Sequence, residues 1–230
     1  TQKSYPSHSG LIYEKVPDIW MESVKSYNQM MLSKQFYIRF KQYEYILIFQ
    51  LDAFVISDCL NQFCCYGYDY IGAPWINGMK YLKDLDSKAI WYVGNGGFSL
   101  RRVSAFLKLL DSGITDYIEI NEDVFWASCD SEQFQVAPID VALQFAFEKD
   151  VYQCYQMNHN RLPFGCHAWE KYNFEFWKSI IEMNGYNFKT EILEKEEKDY
   201  QIKNYHYLEI DSETMQQCLN RLFCGEKREL

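Results

Sequence analysis

The spacing of apolar residues changes several times along the chain, and each change marks an expected element. Pro17 and Asp18 open a helix in which Trp20, Val24, Tyr27 and Met31 recur at steps of four, three and four and so share one face, predicting a helix to about Phe40. Within YEYILIFQLDAFVI (43–56), Tyr45 to Phe49 form a nearly continuous apolar run, the pattern of a strand buried on both faces, and a central parallel strand is expected. A Cys- and aromatic-rich turn or short helix follows at 58–66. DYIGAPW (69–75) reads as a brief strand stopped by Gly72 and Pro74, and 76–90, with Gly78, several charges and little periodicity, reads as a surface loop. After WYVGNGGFS, Ser99 suits the N-cap of a helix over 100–110 that carries Val103, Phe106, Leu107 and Leu110 and stops at Gly113.

Further on, Pro138 fits the first turn of a helix with Ile139, Leu143 and Ala146 on one face. Another helical stripe runs through Trp169, Tyr172, Phe176, Ile180 and Met183. KTEILEKEEKDY (189–200) reads as a solvated helix or linker, and Asp211 or Ser212 can cap a last helix carrying Met215, Cys218, Leu219 and Leu222. Strands and helices alternate, which predicts an α/β layered domain. A chain of 230 residues, 48% hydrophobic, fits one domain: 1–230, with a core over about 18–185 and a C-terminal helical extension over about 186–230.

Composition narrows the function. A net charge of -9 leaves no broad basic surface for a phosphate backbone, so no nucleic-acid partner is expected. The eight cysteines form no C-x-x-C unit, which removes the zinc-ribbon and thioredoxin-like readings and suggests reduced, mostly buried thiols in a cytoplasmic protein. No apolar run approaches the roughly 18 residues that span a bilayer, and no signal peptide opens the chain. The first residue is Thr1 rather than Met, as in a processed or excised piece. With 19 Tyr, 16 Phe and 6 Trp, most rings belong to a core, and some are left as flat platforms for sugar rings.

Four places carry candidate chemistry. Asp52 ends the most hydrophobic strand, where ligands gather in open α/β sheets, and it either meets a metal or donor there or simply caps the following turn. A phosphatase of the haloacid-dehalogenase type is excluded, because Phe54 and Val55 stand where a second Asp is needed. VGNGGFSLRR (93–102) concentrates Gly94, Gly96 and Gly97 around Asn95, as a turn or as bare backbone beside a ligand, and leaves Arg101 and Arg102 in the first turn of the expected helix, against its dipole. Glu122 and Asp123 in INEDVFW cannot share a helix face, so one is expected in a cleft and the other paired or solvated; a carboxylate beside aromatic surface suits a general base, and an acidic pair at a helix N-terminus is the purely structural reading. His167, on a turn built by Pro163 and Gly165, is a metal ligand, a phosphate donor or a structural histidine.

In this order, QLDAFV, DYIGAPW, GNGGFSLRR, NEDVFW and LPFGCHAW resemble a bacterial family of GT-A-type glycosyltransferase-like domains of polysaccharide biosynthesis, over roughly residues 20–180. The resemblance implies a Rossmann-like, mixed but mostly parallel sheet flanked by helices, and sugar transfer from a nucleotide-sugar donor, a UDP-sugar, to a glycan or lipid-linked glycan in cell-surface polysaccharide assembly. It places the protein in the cytoplasm, at the inner face of the membrane. More distantly, GG-F-S followed by E-D-V resembles the acceptor side of inverting β-1,3-glycosyltransferases of the Fringe type. That match implies Asp123 as the base with Glu122 its rival, and Asp52 and His167 as ligands of a divalent cation, Mn²⁺ or Mg²⁺. Gln50, Asn95, Gly96, Gly97, Arg101, Trp75 and Trp126 then fall on the donor and acceptor surfaces, with Trp91 a further sugar platform. The sequence departs from the pattern in two respects: Gln50 or Phe54 stands at the second acid of Asp-x-Asp, and the N-terminal nucleotide-binding strand is short or missing. These departures favour a second reading, a non-catalytic carbohydrate-binding or scaffolding domain on a degenerate GT-A fold.

Overall fold

The computed structural model describes residues 12–81, 90–113, 121–186 and 207–209. The first expected helix is three pieces: a 3-10 turn over Asp18–Met21, then α1 (Val24–Met31) and α2 (Lys34–Ile38). The breaks have local causes. Ser23 caps α1 in a reciprocal box, its Oγ accepting from the Ser26 N–H at 3.1 Å while its own N–H donates to Ser26 Oγ at 2.9 Å, and Ser33 starts α2 from an extended backbone. Then come β1 (Tyr45–Phe49), β2 (Phe54–Val55), α3 (Leu60–Cys65), β3 (Tyr70–Ile71), β4 (Pro74–Tyr81), β5 (Trp91–Val93), β6 (Phe98–Arg102), α4 (Val103–Asp111), α5 (Glu122–Ser128), α6 (Ile139–Phe145), β7 (Ala146–Phe147), α7 (Val151–Met157), β8 (Gly165–Cys166), α8 (Phe174–Met183) and β9 (Tyr207–Glu209).

The class is mixed α/β, but the sheet is not mostly parallel. Among the described residues, three small sheets, ordered β1-β6-β3, β2-β8-β7 and β5-β4-β9, are paired antiparallel except for β7 with β8, with an isolated parallel bridge between Tyr70 and Val136. β1 is an edge strand, yet its apolar run has the expected cause. Ile46 and Ile48 pack on a cluster of Tyr37, Tyr70, Phe106 and Trp126, while Tyr45 and Leu47 pack on one of Phe98, Leu100, Phe145 and Phe164. Apolar matter on both faces gives the same pattern whichever way the neighbouring strand runs.

Two boundaries shift in ways that matter for the site. Pro74 begins β4 rather than ending a strand, and part of the expected 76–90 loop is sheet, paired at Met79 with Trp91 on one side and Glu209 on the other. Ser99 is not a helix cap: Phe98–Arg102 is the central strand of its sheet, and the helix begins at Val103. Alternation along β6 sends Phe98 and Leu100 into one core and Ser99 and Arg101 to the opposite face. Arg101 therefore stands in a strand rather than a helix, and Arg102 is the N-cap residue of α4. The stripe from Trp169 becomes helical only at Phe174, because Asn173, in the left-handed region at φ 57°, starts α8. The expected elements at 189–200 and 211–222 lie outside the described residues, as does the stretch 82–89.

Candidate functional site

A cleft of about 1320 Å³ runs between α1, the 94–97 backbone, the head of α5 and the segments 148–152 and 167–176. Gln50, Asp52, Trp75, Asn95, Gly96, Gly97, Glu122, Asp123 and His167 all line it, so the structure collects most of the sequence-predicted residues in one place.

Its floor is the GNGG segment, held by Asn95. The Asn95 Oδ1 accepts from the Gly97 N–H at 2.8 Å and the Phe98 N–H at 3.0 Å, and its backbone N–H donates to Tyr70 Oη at 2.8 Å. The glycines are not explained by positive φ; they are demanded by close approach. A methyl group on Gly94 would collide with the Trp75 indole, one on Gly96 with the Glu122 carboxylate, and one on Gly97 with His167 Nε2 and Gln50 Oε1. The room left by the missing side chains is filled by the protein's own functional groups.

On one wall, Glu122 and Asp123 divide as their adjacency requires. Glu122 is buried and bound to Arg101, whose Nη2 donates to Oε1 at 3.0 Å with Nη1 2.9 Å from Oε2. Arg101 is itself fully buried. Its Nε donates to Ser99 Oγ at 3.0 Å, its Nη1 to Tyr37 Oη at 2.8 Å, and its guanidinium lies 5.5 Å from the Tyr70 and Phe106 ring centres. The expected ligand-facing Arg101 is thus a support under Glu122. Arg102, on the other side of the strand, pairs with Asp69 at 3.0 Å.

Asp123 remains at the cleft, half-buried, with Oδ1 accepting from the Val124 N–H at 2.8 Å. Burial, and then the charges of Glu122 and Glu148, push its carboxyl up to about 7. The head of α5 is tied to α1, since Asn28 Oδ1 accepts from the Glu122 N–H at 3.3 Å and Asn28 Nδ2 donates to Asn121 Oδ1 at 3.2 Å.

The other wall centres on His167. Its Nδ1 is 3.1 Å from Glu148 Oε1, and its Nε2 is 3.3 Å from both Asp52 Oδ1 and Gln50 Oε1. Burial alone would lower its pKa, but hydrogen bonds and charge from Asp52 and Glu148 outweigh that and raise it to about 9. The same contact with His167 holds Asp52 below its ordinary value. Ala168, left-handed at φ 49°, turns the chain directly after His167.

Among the described residues, no group of three or more His, Cys, Asp and Glu side chains is arranged to hold a metal. The donor set for a cation is therefore narrower: His167 Nε2, Asp52 Oδ1 and the amide oxygen of Gln50 converge, with Glu148 orienting the ring from Nδ1. A cation bound there would have to displace the proton that Asp52 and Glu148 stabilise on the His167 ring.

Two sequence-predicted aromatics part company. Trp75 borders the cleft but is only 5% exposed, packed beneath Gly94 with Met79, Val124 and Ala127, whereas Trp126 is fully buried among Tyr37, Phe106 and Phe134, away from the cleft. Trp91 packs with Trp75 and Met79 in a small separate cluster. Sequence reasoning missed Glu148, Lys149, Lys171, Tyr27 and Asn28, all of which line the cleft. The signal for the first two was the abrupt step from buried Phe147 to Glu148-Lys149-Asp150, the same strand-to-charge step that marked Asp52. Among the described residues, no helix is long and apolar enough to cross a membrane.

The profile of a family described as "Protein of unknown function (DUF5672)" matches residues 11–167, more than half of the chain, and the chain belongs to that family. No curated protein and no solved structure matches it.

Proposed function

We propose that this DUF5672 member is a glycosyltransferase of GT-A-like architecture that moves a sugar from a nucleotide-sugar donor, a UDP-sugar, to a glycan or lipid-linked glycan acceptor, with inversion. The observation that carries the reading is Asp123: a carboxylate lining the cleft, pushed up to about 7 by burial and by the charges of Glu122 and Glu148. A base working near neutral pH needs that combination of access and raised affinity for a proton. Glu122, engaged by a buried guanidinium, supports its neighbour and is not the base.

In the proposed reaction Asp123 takes the proton of an acceptor hydroxyl as that oxygen attacks the anomeric carbon. The bond from that carbon to the diphosphate breaks, and its electron pair leaves with the phosphate. Trp75, packed under Gly94, backs the glycine floor of the cleft. Across the cleft, Gln50, Asp52 and His167 would hold Mn²⁺ or Mg²⁺, which when bound offsets charge building on the leaving oxygens. The acceptor class places the enzyme in the cytoplasm at the inner membrane face, in cell-surface polysaccharide assembly.

The test is turnover of a panel of nucleotide sugars with glycan acceptors, by wild type and Asp123→Asn. Transfer should fall by about 10²–10⁴-fold in the variant, the usual worth of a general base, with an unchanged circular dichroism spectrum. Undiminished transfer by the variant overturns the role of Asp123. If wild type binds glycans in calorimetry but neither binds nor consumes any nucleotide sugar, the domain is a carbohydrate-binding module.

A further inference from the structure

The tryptophans that the sequence offers as sugar platforms are taken up by packing, Trp126 in the core and Trp75 with Trp91 in their own small cluster. The cleft nevertheless presents aromatic surface. It lies on the wall formed by α7 and the approach to α8, where Tyr152, Tyr172, Phe174 and Phe176 line the cleft.

Tyr152 and Phe176 form the best-defined part of that surface. Tyr152, in the first turn of α7, is 56% exposed, whereas Phe176, in the first turn of α8, is half-buried. Their rings meet edge to face, with centres 5.3 Å apart and planes at 82°. Phe176 is held in turn by Tyr155 at 5.5 Å and by fully buried Trp177 at 4.9 Å. The head of α7 is fastened from another side, because Asn77 of β4 donates from Nδ2 to Asp150 Oδ2 at 3.1 Å. A single exposed tyrosine is ordinary, but this ring is braced by the core and opens on a cleft, so little ordering entropy is lost when a ligand packs on it.

Size and charge say which ligand suits the corner. The cleft, at about 1320 Å³, exceeds the roughly 300–1,000 Å³ of pockets for small ligands, which leaves room for several sugar rings. Among the described residues that line it, carboxylates outnumber cationic side chains. Such a lining repels an acidic polymer and accepts hydrogen bonds from hydroxyl groups, while an exposed aromatic face takes the C–H face of a sugar ring. An uncharged oligosaccharide has both kinds of surface.

We infer that Tyr152, braced by Phe176, is the platform of an extended acceptor subsite that packs a sugar unit of an uncharged glycan other than the unit reacting at Asp123. The inference rests on the glycosyltransferase reading and deepens it by naming the acceptor class: an oligosaccharide rather than a single sugar, and neutral rather than acidic.

NMR titration with glucose, cellobiose, cellotetraose and the charged counterpart tetragalacturonate tests the subsite on wild type, Y152A and Y152F. Wild type should bind cellotetraose at least about tenfold more tightly than glucose or tetragalacturonate. Y152A should weaken cellotetraose binding about fivefold or more, the usual worth of one aromatic contact, and Y152F, which keeps the ring, should retain wild-type affinity. Equal affinity of wild type and Y152A for cellotetraose, a Y152F as weak as Y152A, no gain from glucose to cellotetraose, tetragalacturonate bound as tightly as cellotetraose, or no cellotetraose binding by wild type each overturns the subsite. Should Y152A misfold by circular dichroism, Tyr152→Leu, which keeps apolar bulk without a flat face, carries the same comparison. In transfer assays Y152A should raise KM for cellotetraose more than for glucose, as loss of binding remote from the reacting atoms does. The two readings separate. Transfer that needs Asp123 but shows the same KM for cellotetraose in Y152A removes this subsite alone; Tyr152-dependent binding of cellotetraose with no transfer from any nucleotide sugar removes the glycosyltransferase reading alone.

Discussion

Arg101 and Glu122, 21 residues apart in sequence, face each other as a two-pronged ion pair with no contact to solvent, Nη2 to Oε1 at 3.0 Å and Nη1 to Oε2 at 2.9 Å. The pair joins the central strand β6 to the head of α5 and so fixes where Asp123 emerges. Removing one partner of such a pair leaves a buried charge unanswered. Arg101→Met or Glu122→Met should each lower stability by about 3–5 kcal/mol in urea denaturation, and the two together should recover much of the loss. Additive losses in the double variant would show that the pair is not the coupled unit described.

Asp123 gives a pH signature of its own. Its carboxyl titrates near 7 in the folded protein and at an ordinary 3.8 otherwise, so the folded state holds the extra proton and stability from this group declines as pH rises between those values. Activity runs the other way: kcat/KM should climb with pH to a plateau above about 7, as the base form fills. A profile already flat from pH 5 would rule out Asp123 as the base.

His167 and Asp52 define a second window, in chelator. The His167 pKa is raised from 6.5 to about 9, so its contribution is complete below 6.5 and disappears as pH rises through 9. That of Asp52, whose pKa is lowered from 3.8, is present above that value and fades as pH falls further. Thermal midpoints of wild type and His167→Gln should therefore differ at pH 6 and converge by pH 10. A difference that persists unchanged at pH 10 would mean the ring acts through packing alone.

Gly97 offers a purely steric test. Gly97→Ala puts a methyl group on His167 Nε2 and 2.7 Å from Gln50 Oε1, and overpacking of this kind costs about 1–3 kcal/mol. Chemical denaturation should show that loss together with an altered His167 ring resonance in NMR. An unperturbed His167 would mean the floor yields elsewhere.

The sequence by itself determined the mixed α/β class, the apolar run of Tyr45–Phe49 with its two packed faces, and that adjacent Glu122 and Asp123 take different surroundings, because each rests on local spacing or on the properties of adjacent residues; the expected turn at Pro163 and Gly165 is instead strand β8 at Gly165–Cys166, directly before His167. Tertiary structure alone decided three things. Strand direction was one: β1 packs on both faces, and nothing in an apolar run says which way its neighbour points, so an expected central parallel strand is an antiparallel edge. The assignment of Phe98–Arg102 was another, since Ser99 looks like a helix cap until β1 and β3 pair on either side and alternation carries Arg101 into the core beneath Glu122. The third was the meeting of Glu148, Lys149 and Lys171 with Asp52 and His167 across more than a hundred residues of chain, which no local pattern encodes. Local spacing reports which side chains share a face; which faces then share a cleft depends on the packing of the whole core.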